Sequence, residues 1–562
     1  MKKVLRVLSV TLLVLANTSA QPSISADCGK MVDSLVAKDI HPSTPGGVVG
    51  IIQGGKVIFK KAYGLANLDY QIPNGLDTRF NLASVSKQFT AYGCLLLARD
   101  GKLDLDADIH QYLPELPDYG VKITTRQLLH HTSGLTSTEI LQLFAGTLFE
   151  KDWGMEEEFD MVKRYKKLNF KPNDEHVYCN SGYAAATRII EKVSGQSLNE
   201  FLVQKVFKPL GMNHSEILDR KGKIMANRAT GYSKNDSVFV IKNTLSSSLI
   251  GPTNLYTSLE DMLLWDQHLL NPPPEDKDII ARMMNPSDTF NNGDTIRYTY
   301  GFEVRNHKGR KIAEHGGYTP GFLARNVLFP DLDFAVVAMF NTDKADIWNV
   351  TMQAVDSLLK DKLKFEPKKE RVETKIKPGL AARYAGVYAL ADGTRLPFET
   401  RNDTLWLVIP GAPKFRMVPE NETEFFIREF DAQCTYVRDD AGNVSQIVWH
   451  QSGQNPDGFR VKNQKALTAK ELAQYTGNFI QPVLEVIYPV RLENQQLIIR
   501  VPADFKAAIG IERDVKLYHQ GGDSFFTEKL GIVEFTREHK KKITGLIFKD
   551  VGRQRNIEFQ KL

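Results

Sequence analysis

Cysteine is scarce in this chain of 562 residues, with only Cys28, Cys94, Cys179 and Cys434, too few for a disulfide scaffold even in an oxidising compartment. Most are expected to be buried thiols, and no pairing is assigned. No CxxC pair and no HExxH segment occurs, so the common zinc sites have no basis in the sequence, and neither a metal nor another cofactor is expected. An excess of one charge is also missing. The 72 Lys and Arg residues against 67 Asp and Glu leave a formal net charge of +5, and no basic stretch with interleaved aromatics marks a nucleic-acid face. Beyond the N-terminus no apolar run approaches the roughly 20 residues of a bilayer span, which argues against integral membrane association. Low-complexity tracts are absent too. What remains is a globular composition, 42% hydrophobic and 25% charged, long enough for two or three domains.

The N-terminus has the layout of a secretory leader: Lys2 and Lys3, the apolar run Val4 to Ala16, then Thr18-Ser19-Ala20. Cleavage after Ala20 is expected, which places the protein in the periplasm or outside the cell. Residues 21–365 mix helix-like runs (Phe89 to Ala98, Ala184 to Val193) with strand-like ones (Phe334 to Phe340), an α/β pattern. Residues 366–379, with Pro367-Lys368-Lys369-Glu370-Arg371 and Pro378-Gly379, are too charged to bury apolar area and read as a linker. Short alternating strands follow, so residues 380–562 read as all-β. A weak repeat divides them: Leu380-Ala381-Ala382-Arg383-Tyr384-Ala385-Gly386 returns as Glu471-Leu472-Ala473-Gln474-Tyr475-Thr476-Gly477. Two small barrels, 380–465 and 466–562, are expected.

The chemistry concentrates in the first region. Ser84 and Lys87 stand three residues apart, a spacing that puts hydroxyl and amine on one helical face. A serine hydroxyl becomes a competent nucleophile once a base takes its proton, and a lysine can be that base if burial lowers its pKa. The apolar residues around Ser84 (Leu82, Ala83, Val85, Phe89) predict such burial. The spacing alone says little, since Ser357-Leu358-Leu359-Lys360 repeats it in what reads as an ordinary amphipathic helix. Two further segments add weight. Tyr178-Cys179-Asn180 falls between the turn Lys171-Pro172-Asn173-Asp174 and a helix expected from about Ser181 to Val193. There Tyr178 either packs or relays a proton, and Asn180 either caps the helix or orients Lys87 or a substrate carbonyl. In Glu314-His315-Gly316-Gly317-Tyr318, paired glycines in a strand mark either a turn or a place where a ligand approaches closely.

Taken in order, Ser84-x-x-Lys87, Tyr178-x-Asn180 and His315-Gly316-Gly317 resemble the serine β-lactamase and penicillin-binding-protein superfamily, especially its class C-like branch of esterases and D-aminopeptidases. His130-His131-Thr132-Ser133-Gly134-Leu135, Pro209-Leu210-Gly211-Met212 and Tyr300-Gly301-Phe302 resemble that branch's recurrent segments. The resemblance implies an antiparallel sheet flanked by helices beside a helical lobe, with the site in the cleft between them and Ser84 opening the central helix. It implies an acyl-enzyme on Ser84, proton transfer by Lys87 and Tyr178, and an oxyanion hole from the backbone N–H groups of Ser84 and Tyr318. Many relatives carry Lys-Thr-Gly where this chain has His315-Gly316-Gly317. A histidine with an ordinary pKa near 6.5 is mostly neutral at pH 7, so carboxylate recognition is weakened. The expected activity is therefore hydrolysis of a small amide or ester, by a peptidase on D-amino-acid peptides or an esterase. A β-lactamase or penicillin-binding carboxypeptidase ranks behind it, and an acylated sensor without turnover behind that. The two C-terminal units resemble small lipocalin-like barrels, expected to be filled by their own side chains and to narrow the site mouth or support self-association.

Overall fold

The computed structural model describes residues 26–148, 153–220, 222–235, 238–242, 249–364, 371–390, 394–409, 413–438, 442–451, 456–461, 467–527, 530–539 and 542–562. The expected leader, residues 1–20, the side chain of Cys28 and linker positions 366–370 lie outside them. Cys94, Cys179 and Cys434 are free and buried.

Continuous apolar runs such as Val48-Val49-Gly50-Ile51-Ile52 and Phe334 to Phe340 suit strands covered on both faces. They become the interior of a six-stranded antiparallel sheet, ordered β3-β4-β5-β6-β1-β2. Its strands are β1 (Gly47–Gln53), β2 (Lys56–Tyr63), β3 (Glu303–His307), β4 (Arg310–Thr319), β5 (Phe322–Phe329) and β6 (Phe334–Phe340). The edge strand β2 carries Lys56, Lys60 and Lys61 exposed, which discourages pairing with another chain.

Seven helices matter for the site: α1 (Ala26–Val36), α2 (Lys87–Arg99), α3 (Thr138–Ala145), α4 (Met155–Arg164), α5 (Asn180–Ser194), α6 (Leu259–Leu270) and α7 (Ile347–Leu358). One sheet face packs Val49, Ile51, Val336 and Ala338 against α1 and α7. The other packs on α6, and beyond it α2 is buried from Lys87 to Leu97 against α5. Ser357 and Lys360, which repeat the Ser-x-x-Lys spacing, lie at the outer end of α7 and take no part in the cleft.

The C-terminal region forms two closed barrels of eight strands each, from Gly386–Leu390 to Asp457–Arg460 and from Gly477–Gln481 to Gln554–Lys561. The weak sequence repeat corresponds to one structural device used twice. In each barrel a short helix leads to a buried tyrosine, Tyr384 or Tyr475, and two residues later a glycine opens the first strand. Gly386 and Gly477 have φ of 149° and 143°, and an added Cβ would crowd Arg460 or Lys561 at 2.8 and 2.6 Å. Arg438 and Arg537 lie over the two tyrosine rings at 5.5 and 5.4 Å.

The barrels differ in how they meet the first domain. The core of the first barrel is formed within residues 376–449, whereas that of the second includes Leu141, Leu143, Phe144, Met161 and Tyr165 from α3, α4 and the residue after α4. Phe144 is fully buried among Tyr488, Phe505 and Phe548, at 6.0, 5.2 and 5.1 Å. Tyr488 Oη donates to the Phe144 carbonyl at 2.9 Å, and Leu148 N–H donates to Asp504 at 2.8 Å. The second barrel is thus joined to the helical lobe by a shared apolar core. Among the described residues no helix is long and apolar enough to cross a membrane.

Candidate active site

The approach to Ser84 is a strained turn. Phe80–Asn81 pairs with Leu255–Thr257, and Leu82 N–H donates to the Leu255 carbonyl at 2.9 Å. Asn81 Oδ1 accepts from Ala83 N–H at 2.8 Å and holds Ala83 at φ 46°, a left-handed conformation uncommon for a residue with a Cβ. Ser84 then stands on the 3₁₀ turn Ala83–Ser86, and Lys87 is the first residue of α2. This refines the expectation that Ser84 opens the helix. In a 3₁₀ turn residues i and i+3 eclipse, so the three-residue spacing brings hydroxyl and amine together just before the helix.

Lys87 is wholly buried. Its Nζ lies 3.2 Å from Ser84 Oγ, 2.9 Å from Asn180 Oδ1 and 3.0 Å from the Pro252 carbonyl oxygen. Burial holds its pKa well below the usual lysine range, and the cation of Arg553 pushes the same way, while Glu139 and Cys179 oppose it. A neutral amine has two N–H bonds and one lone pair. With the Asn180 and Pro252 oxygens accepting the two N–H groups, the lone pair is left for the Ser84 hydroxyl proton.

The Tyr178 ring packs at a tilt against His131 with ring centroids 4.2 Å apart, and Lys87 Nζ is 4.7 Å from the Tyr178 ring centroid. Its hydroxyl is buried without a well-aligned hydrogen bond, and Ser84 is the hydrogen-bonding neighbour that tempers the upward push of burial on its pKa. It is therefore a neutral phenol at rest. His131 Nδ1 accepts from Cys179 N–H at 3.1 Å and fixes this segment. Asn180 is the first residue of α5, after the cap position Cys179. Its side chain does not cap the helix: Oδ1 meets Lys87 and Nδ2 donates to Glu139 Oε1 at 3.0 Å.

The glycine segment is strand β4, not a turn. β3 pairs with β4 only as far as Glu314, so among the described residues the edge from His315 to Thr319 has no strand partner on that side. Gly317 is buried there, close to Leu82 and Ser84, while Gly316 is exposed. His315 is buried, with Nδ1 2.6 Å from the Gly316 carbonyl oxygen and Nε2 2.7 Å from Tyr298 Oη. The carbonyl can only accept, which places the ring proton on Nδ1 and makes Nε2 the acceptor from Tyr298. Burial pushes the His315 pKa down to about 3.

Ser84, Tyr178, Asn180, His315, Gly316, Gly317 and Tyr318 all line one cavity of about 720 Å³, with Lys87 beneath Ser84. Glu139, Trp153, Arg325, Trp348 and Arg553 also line it, and sequence reasoning missed all five. Arg325 is buried against Glu314, with its guanidinium 3.4 Å from the ring centroid of the half-exposed Trp348. Arg553 reaches in from the second barrel, on the turn between its last two strands, Lys542–Val551 and Gln554–Lys561. No short motif carries these residues, and only Arg325 and Trp348 lie near the glycine strand in sequence. Among the described residues no group of three or more His, Cys, Asp or Glu side chains is placed to hold a metal ion.

The family model described as Beta-lactamase matches residues 32–353, and one described as a domain of unknown function (DUF3471) matches residues 368–460. A penicillin-binding protein of Bacillus subtilis (strain 168) is 27% identical over 74% of this chain and 95% of its own length. A D-aminopeptidase of Brucella anthropi is 28% identical over 53% of this chain, and the match spans 56% of that relative. Among solved structures, the octameric penicillin-binding protein homologue from Pyrococcus abyssi shares the fold at TM-score 0.54 and 19% identity, covering 85% of this chain and 98% of that one. A penicillin-binding protein from Bacillus halodurans does so at TM-score 0.51 and 23% identity, covering 58% and 99%. The family match extends over more than half of the chain and contains Ser84, Lys87 and the glycine strand: the protein belongs to the Beta-lactamase family and is a serine hydrolase.

Proposed function

We propose that the protein hydrolyses short peptides bearing a D-amino acid, or a small ester, through an acyl-enzyme on Ser84. The observation that carries this reading is the wholly buried Lys87 amine, 3.2 Å from Ser84 Oγ with its two N–H groups already engaged.

Ser84 Oγ adds to the substrate carbonyl as its proton passes to Lys87 Nζ. Negative charge gathers on the carbonyl oxygen, and the backbone N–H groups of Ser84 and Tyr318 are the donors proposed to receive it. The C–N or C–O bond breaks as Tyr178 gives its phenolic proton to the leaving amine or alcohol, and Tyr178 recovers a proton from Lys87. Water then adds to the acyl carbon, giving its proton to the regenerated base. The bond to Ser84 Oγ breaks and the serine is reprotonated.

The neutral His315 ranks the substrates. The β4 wall lacks the fixed cation that a Lys-Thr-Gly strand would offer to a carboxylate, which disfavours β-lactams and carboxypeptidase substrates. The D-aminopeptidase relatives support the same order. Labelling with a fluorophosphonate, followed by turnover of D-alanine p-nitroanilide, p-nitrophenyl acetate and a chromogenic cephalosporin, tests it. Labelling with turnover of the anilide or ester supports the proposal. Labelling without turnover of any of them makes the protein an acylated sensor instead.

Export and self-association through the barrels belong to the same proposal. The Lys2-Lys3 start and the apolar run to Ala16 support cleavage after Ala20, which N-terminal sequencing of protein from the culture medium or periplasm checks. For self-association the support is the half-exposed Phe459 on the first barrel. Sedimentation of wild type against Phe459→Ser tests it.

A further inference from the structure

Three hydrogen bonds run from the second barrel to the catalytic amine. Arg553 Nη1 donates to Glu139 Oε1 at 3.0 Å, Asn180 Nδ2 donates to the same oxygen at 3.0 Å, and Asn180 Oδ1 accepts from Lys87 at 2.9 Å. Resting on the acyl-enzyme reading above, we propose that Arg553 is a positioning residue of the acylation machinery, acting through Glu139 and Asn180 on Lys87, so that the second barrel is part of the catalytic unit.

The two ends of the Asn180 amide need different partners. Only its oxygen can accept an N–H from Lys87, so its NH2 end needs an acceptor, and Glu139 is the one present. Glu139 sits in the first turn of α3 with its side chain 26% exposed, so by itself it is free to swing toward solvent. The guanidinium of Arg553 pins it. Arg553 is fixed in turn: Asn169 Nδ2 donates to its carbonyl at 3.2 Å, Asn169 Oδ1 accepts from Arg555 N–H at 3.0 Å, and the guanidinium lies 4.4 Å from the Tyr178 ring centroid. Without the pair, the Asn180 amide can rotate and turn its N–H groups toward the amine, where donor meets donor.

Charge acts in the same sense. The groups facing Lys87 are Ser84, Asn180, the Pro252 carbonyl and the Tyr178 and Tyr183 rings. Cys179, Glu139, Arg553, His131 and His315 surround these. His131 and His315 are held neutral by burial. Arg553 then disfavours a proton on Lys87, and Glu139 favours one. Removing Arg553 leaves the Glu139 carboxylate unopposed, while neutralising Glu139 does the reverse.

The test is the rate of Ser84 labelling by a small uncharged fluorophosphonate from about pH 5 to about pH 9, where the rate on the acid side changes about tenfold per pH unit. Arg553→Met is expected to move the acid limb to higher pH, and Arg553→Lys, which keeps the charge, to restore it most of the way. Glu139→Gln keeps an oxygen for Asn180 and removes the charge, so its limb is expected to move to lower pH. Lys167→Ala, which breaks the barrel-docking pair with Glu558 away from the cleft, is expected to leave the limb in place. The proposal is overturned if the Arg553→Met limb coincides with wild type, if Glu139→Gln moves in the same direction, or if Lys167→Ala moves as far as Arg553→Met. An unlabelled wild type overturns the acyl-enzyme reading and this one with it. A labelled wild type with an unmoved Arg553→Met limb overturns this one alone.

Discussion

Gly317 passes so close to Leu82 that a Cβ on the glycine would fall 2.3 Å from the Leu82 carbonyl oxygen and 3.2 Å from the Ser84 nitrogen. The strand β4 and the Ser84 turn are in backbone contact, and only glycine permits it. A Cβ at Gly316 would meet nothing within 4 Å. Gly317→Ala is therefore expected to lose about 1–3 kcal/mol from overpacking and to push β4 away from Ser84, with labelling falling at least about tenfold. Gly316→Ala is expected to stay within about 0.5 kcal/mol of wild type. Thermal unfolding and labelling of the two variants side by side check both.

Tyr178 carries its proton at rest, because burial raises its pKa. A phenol that donates matters most when the leaving group cannot depart as an anion. For Tyr178→Phe, kcat on D-alanine p-nitroanilide is expected to fall by about 10²–10⁴-fold. Acylation by p-nitrophenyl acetate, whose phenolate leaves unaided, is expected to fall much less. Equal losses on both substrates would show that the ring only packs.

Much of this site was legible in the sequence because it is local. Ser84 and Lys87 share one turn, Tyr178 and Asn180 flank one helix start, and Gly316-Gly317 breaks the pattern of a strand. The two barrels were legible for a similar reason, since Tyr384-x-Gly386 and Tyr475-x-Gly477 repeat a conformational need, a glycine at positive φ beside a buried tyrosine. What was not legible is what tertiary docking alone creates. Arg553 lies 414 residues from Glu139, on a hairpin turn that resembles any other charged turn. The local sequence left both capping and orientation open for Asn180, and only the folded chain brings Glu139 and Lys87 to the two ends of its amide.

The docked second barrel rests on Phe144, whose ring the barrel aromatics surround. Phe144→Ala is expected to lose about 3–5 kcal/mol, and the loss should fall on the barrel and its junction with α3 more than on the sheet domain. Calorimetry is expected to resolve an earlier transition, with hydrogen exchange locating the newly exposed amides in residues 477–561. A uniform fall of the whole unfolding profile would mean that barrel and lobe unfold as one unit.

Beneath α2, Asp266 on α6 is fully buried, with Oδ1 accepting from Asn326 Nδ2 at 2.7 Å and Oδ2 lacking a hydrogen-bond partner among the described residues. Burial pushes its pKa up to about 8 from an ordinary 3.8, and the Asn326 bond opposes this only in part. Between those values the folded protein holds a proton that the unfolded chain has released, so stability falls as pH rises through the window. Asn is nearly isosteric with the protonated acid and does not titrate. Asp266→Asn and wild type should therefore match in stability near pH 4. By about pH 8 the variant should be the more stable by at least about 1.4 kcal/mol, the equivalent of one pH unit. Denaturant unfolding of both proteins at the two pH values reads the gap, and a gap that stays constant with pH would mean that Asp266 is ionised in the fold.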